Sequence, residues 1–136
     1  MTRAMIGTML AALAGALWCA PAGAATSTCM QKASTQMAMD ACAGADARSA
    51  DARLSAAYGA LLARAASQPG AEAKIRAAER AWTAYRDAYL AAAFPLADKQ
   101  TAYGSIYPME AAELRAQVTL RQVDAIDALI ARYRSP

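Results

Sequence analysis

The sequence has 136 residues, enough for one domain near the small end of self-sufficient folding, and its 14 basic and 11 acidic residues leave a formal charge of +3. The two signs are interleaved, with no basic block and no basic–aromatic alternation, which argues against a nucleic-acid partner. His is absent, so the commonest general base and the commonest metal ligand are both missing, and no catalytic, cofactor or metal site is expected.

The N-terminus reads as a leader. Arg3 gives a positive start, Ala4 to Trp18 is uncharged and largely apolar, and Pro21 breaks the run before Ala22-Gly23-Ala24. That is the plan of a secretory signal peptide over residues 1–24, too short in its apolar part to serve as a stable membrane anchor. Bulky Trp18 stands where a small residue would precede a lipidated Cys19, so lipidation is not expected. Cleavage after Ala24 leaves residues 25–136 as an exported domain, periplasmic or secreted, with no membrane contact. Cys29 and Cys42 then remain, and an even pair in an exported chain favours a disulfide over two free thiols. Closing that loop is worth roughly 3 kcal/mol in the chain-entropy account.

Ser34 or Thr35 can cap a first long helix over residues 36–66, where Ala, Leu, Met and Arg dominate and Pro is absent. Gly44 is its weak point, a place for a kink or break. Leu54, Tyr58, Leu61 and Ala65 step by four, three and four, with Asp51 three residues earlier on the same side. Ser67-Gln68-Pro69-Gly70 ends it with adjacent Pro and Gly.

The second helix carries the aromatic weight. Ile75, Ala78, Trp82, Tyr85, Tyr89 and Ala92 form a stripe expected to face the core, with Arg86 at its edge. A short turn makes the two helices antiparallel, so residues equidistant from it face one another: Leu61 with Ile75, Leu54 with Trp82, and Asp51 with Arg86. A salt bridge is therefore expected at the edge of the core. The helix should fade at Phe94-Pro95, since a residue before Pro avoids the α region.

Residues 95–107 form the longest break, with Gly104 free to take positive φ. Pro108 suits the first turn of a third helix, where Glu110 and Glu113 favour the positive end of the macrodipole. Thr119, Val123, Ile126, Ile130 and Tyr133 make its main stripe, widened by Leu120 and Leu129. No strand alternation appears. The expected fold is all-α, a three-helix antiparallel bundle with an N-terminal segment tethered by a disulfide.

Laid out this way, the chain resembles the LprI-like family of small exported domains named for a lysozyme inhibitor. The resemblance rests on Cys29, Thr35-Gln36 and Met39-Asp40-Ala41-Cys42-Ala43, then on Ala50-Asp51, Leu54 and Tyr58. It continues through Ala78-Glu79-Arg80-Ala81-Trp82, Tyr85-Arg86-Asp87-Ala88, Gly104-Ser105 and Val118-Thr119. Leu90 and Leu114 stand where the family commonly has a second cysteine pair, and Gln122 stands where its closing Arg is expected, with Arg121 one place early.

The resemblance implies a lysozyme-binding protein that blocks the enzyme's glycan cleft, with Tyr103, Gly104, Ser105 and Tyr107 as the candidate contact loop. The alternative is a non-enzymatic envelope module that binds another periplasmic protein or a peptidoglycan fragment. An enzyme is not expected, because Asp51 and Asp87 are better explained by helix pairing.

Overall fold

The computed structural model describes residues 28–133. The leader expected at residues 1–24 lies outside them. The elements in chain order are α1 (Thr28–Lys32), α2 (Gln36–Ala65), α3 (Ala71–Ala93), α4 (Lys99–Tyr103), a 3-10 turn (Gly104–Ile106) and α5 (Tyr107–Arg132). The protein is all-α: α2, α3 and α5 are the three long helices, and none of the described helices is long and apolar enough to cross a membrane.

Local chemistry accounts for the boundaries. The Thr35 hydroxyl accepts from the Ala38 N–H at 3.2 Å, satisfying one of the free donors of the first turn of α2. The Cys29–Cys42 disulfide then ties α1 to the first turns of α2, with Cα atoms 5.6 Å apart. Contrary to the break expected at Gly44, α2 runs unbroken through it. Buried Ala43, Ala47 and Ala50 flank that glycine, so packing outweighs the propensity cost of about 1 kcal/mol. Gly70 turns the chain with φ 74°, which a side chain would resist, and α3 starts at the next residue.

The register expected for the hairpin is present. Leu61, Ile75 and Leu54 share one buried cluster, Trp82 packs against it, and Arg86 Nη1 donates to Asp51 Oδ1 at 3.1 Å. α5 runs parallel to α2, because Arg115 reaches Asp51 and Gln122 reaches Tyr58, both across 64 residues. α5 packs more extensively on α2 than α3 does. Small side chains allow this: Ala47 and Ala50 meet Ala116 at one level, and Leu61 meets Val123, Ile126 and Ile130 further along in the larger cluster.

The α3 stripe differs from the expected one. Ile75 and Arg86 are buried and Trp82 is half-buried, whereas Ala78 is exposed and Tyr85 and Tyr89 are 58% and 39% exposed. From Trp82 the inward line takes a four-residue step to Arg86, not the three-residue step to Tyr85. At about 100° per residue that choice moves Tyr85 and Tyr89 onto a flank of the helix. Asp51 supplies the reason, since its carboxylate draws the Arg86 guanidinium inward. The two displaced tyrosines rest against each other with centroids 5.9 Å apart.

Among the described residues, Thr119 is the one buried polar side chain left without a hydrogen-bond partner. It is 0% exposed, and its Oγ1 has no hydrogen-bond partner. A buried hydroxyl left unpaired costs about 1–3 kcal/mol. Thr119→Val keeps the shape and removes the orphaned group, so it should stabilise the domain by about 1 kcal/mol. A thermal melt reads this directly; an unchanged or lower Tm would mean the hydroxyl is satisfied in solution.

Candidate functional site

The region between α3 and α5 is more ordered than a connector. Phe94 closes α3 by donating its N–H to the Leu90 carbonyl at 3.2 Å. Asp98 then caps α4, its carboxylate accepting from the Thr101 N–H at 3.0 Å. Bonding from Thr101, first by its side chain and then by its backbone, holds the Asp98 carboxyl below the usual carboxylate range. The contribution of this cap is therefore complete above the ordinary carboxylate pKa and is lost as the pH falls through the lowered one. Lys99 Nζ donates to the Phe94 and Leu96 carbonyls, folding the segment back on the end of α3.

Three rings hold this fold-back. Phe94 meets Tyr103 and Tyr107 edge-on at 5.3 and 5.1 Å, and the two tyrosines stack at 5.8 Å. Both geometries suit the aromatic quadrupole. The Tyr103 hydroxyl accepts from the Leu96 N–H at 3.1 Å. Gly104, with φ 71°, turns the chain between the stacked rings into the 3-10 turn. Tyr103, Gly104 and Tyr107 are half-buried, while Ser105 is exposed. The sequence placed all four in one contact loop; the structure makes the two tyrosines the support and Ser105 the outward residue. Ile106 and Leu96, which sequence reasoning did not single out, are 41% and 58% exposed beside it. Met37, in the first turn of α2, is 80% exposed. The loop end of the bundle thus presents exposed Leu96, Ser105 and Ile106 above the ring clamp, with Asp98 and Lys99 as the opposite charges of the same segment.

The second constellation ties the bundle together. Asp51 accepts from Arg86 at 3.1 Å through Oδ1 and from Arg115 at 2.7 Å through Oδ2. Arg86 also reaches Asp87 at 3.3 Å, and its guanidinium lies 5.0 Å from the Trp82 ring centroid. One carboxylate on α2 therefore holds both α3 and α5. Arg115 was missed in the sequence, and only the parallel register of α5 on α2 reveals it. Tyr58, buried two turns further along α2, accepts from Gln122 Nε2 at 3.1 Å. Burial pushes its pKa up, opposed by the Gln122 bond and aided by the charge of Glu79. Leu90 and Leu114, the places where the sequence resemblance leads one to expect a second cysteine pair, are both half-buried.

Among the described residues no group of three His, Cys, Asp or Glu side chains could hold a metal ion. The Asp51 cluster is neutral in sum and its partners are helix neighbours, an arrangement that suits packing better than proton transfer. The sequence model of the family described as "Lysozyme inhibitor LprI" matches residues 29–125. No curated protein and no solved structure matches the chain.

Proposed function

The chain belongs to the lysozyme inhibitor LprI family, and on that premise we propose that it is an exported, non-enzymatic protein that binds lysozyme and blocks its glycan cleft with the 94–107 loop. The observation that carries the placement is the three-ring clamp of Phe94, Tyr103 and Tyr107. A loop fixed before binding loses little entropy on docking, which is the main cost of using a loop as a wedge. Ser105 and Ile106 form its outward tip, with a hydroxyl for the polar wall of a sugar subsite and an apolar side chain for the sugar-stacking surface.

Lysozyme's cleft holds two carboxylates, so a neutral tip avoids repulsion there. The net charge of +3, less Arg3 if the leader is cleaved, offers no long-range attraction to a basic lysozyme. Association should therefore be slow and only weakly salt-dependent, with affinity set by fit. In this reading export proceeds through residues 1–24 and the protein works in the periplasm.

Lysozyme clearing of a cell-wall suspension, with residues 25–136 added, tests the proposal. Wild-type protein should slow clearing in proportion to its concentration. Ile106→Asp at the tip, or Tyr103→Ala with Tyr107→Ala beneath it, should weaken inhibition at least tenfold while circular dichroism stays helical. Absence of inhibition by folded wild-type protein would end the lysozyme reading. Inhibition kept by the loop variants but lost in a folded Arg86→Met protein would move the site to the helical face.

A further inference from the structure

At the opposite end of the bundle, beside the α2–α3 turn, an open groove of about 470 Å³ lies between the first half of α3 and the second half of α5. Its size suits a small-molecule ligand. Buried Leu61, Ile75 and Ile126 form its apolar floor, and exposed Lys74 and Tyr133 stand at its lip. Tyr58 and Gln122, already bonded to each other, also line it.

That polar pair is only half used. A phenol that accepts one bond still has a proton to give, and an amide that donates still has a carbonyl oxygen to accept with. Among the described residues neither capacity has a protein partner, although Tyr58 is only 4% exposed. Turning the amide end for end exchanges the roles and still leaves one donor and one acceptor side by side. Such a pair over an apolar floor matches an acylamino group: its carbonyl accepts a hydrogen bond from the free donor, its N–H donates one to the free acceptor, and its methyl rests on the floor. The lip adds a cation and a ring face. Lys74 has no ion pair among the described residues, and Glu79, whose charge reaches Tyr58, does not line the groove.

The geometry points to a binding site for an N-acylated amino sugar carrying a carboxylate, the chemical unit of bacterial wall glycan. The acyl group sits on the Tyr58–Gln122 pair, the carboxylate meets Lys74, and the sugar face lies against Tyr133. This site is separate from the loop and does not depend on the lysozyme reading.

An NMR titration of the 25–136 chain with N-acetylmuramic acid tests it. Saturable shifts should map to groove residues. Muramic acid, without the acyl group, and N-acetylglucosamine, without the carboxylate, should each bind about tenfold more weakly, as should Tyr58→Phe and Lys74→Met proteins, each having lost one hydrogen bond or ion contact. Lys74→Met changes an exposed position, so it stays folded and should inhibit lysozyme as wild type does, which separates the two proposals. Equal binding of muramic acid, shifts confined to the 94–107 loop, or full affinity in Lys74→Met would overturn the assignment. So would co-sedimentation with insoluble wall glycan in the absence of any saturable response to the monosaccharide.

Discussion

Asp51→Asn should lower the unfolding free energy by about 2–3 kcal/mol, read as a fall in the urea midpoint at constant slope. The side chain of Arg86 is 10% exposed and would be left inside the bundle without its main acceptor. Losing one partner of a fully buried pair costs about 3–5 kcal/mol. The lower figure follows because Asp51 itself is one-third exposed, at 33%, and Arg86 keeps its Asp87 contact and the Trp82 ring. Arg115→Met should cost about 1 kcal/mol or less, because that side chain is 41% exposed and screened by solvent.

Asp51→Asn with Arg86→Met should be milder than the two single losses added together, since the double variant leaves no stranded charge. Additive effects within about 0.5 kcal/mol would show that the pair is a surface ornament and that the register is held by apolar contacts alone.

Much of the hairpin was legible in the sequence, because Pro69-Gly70 fixes both a turn and a register. Leu61 with Ile75 and Asp51 with Arg86 follow from counting outward from that turn. No such count reaches α5. An antiparallel three-helix bundle already sets α5 parallel to α2, but the 95–107 segment is too long to fix the register between them, so the Arg115 bond could not be read.

The upper half of α2 was illegible for another reason. Ala43, Ala47 and Ala50 are buried while Ala45, Ala52 and Ala56 are exposed. A helix of alanines has little hydropathy contrast between its faces, so periodicity carries no signal there. On α3 the same method failed by preferring aromatic rings to a charge. Tyr85 looks more like core than Arg86 does until the partner carboxylate is in view. In the 95–107 segment Gly104 and Pro108 marked the turn and the helix start, but the clamp needs Phe94, Tyr103 and Tyr107 to converge from three separate places in the chain.

The burial pattern also reorders the core, and Leu61→Ala tests the order. Leu61 is 1% exposed and sits among Leu54, Tyr58, Ile75, Ile126 and Ile130, so all three long helices touch its surroundings. Truncating a buried Leu costs about 2–5 kcal/mol, the transfer term plus the void left behind. About 3 kcal/mol is expected here, since Leu61 also lines the groove and the vacated space opens toward solvent. Trp82 has the larger ring but is only half-buried, packed on the cluster from its edge.

Trp82→Ala should therefore cost less than Leu61→Ala, although sequence alone would rank the Trp first. Leu61→Met, which nearly conserves volume, should cost under about 1.5 kcal/mol and separates lost packing from any change of side chain. Chemical denaturation of the three variants gives the order. A larger loss for Trp82→Ala would mean that the ring, with the Arg86 guanidinium against it, anchors α3 more than the apolar cluster does.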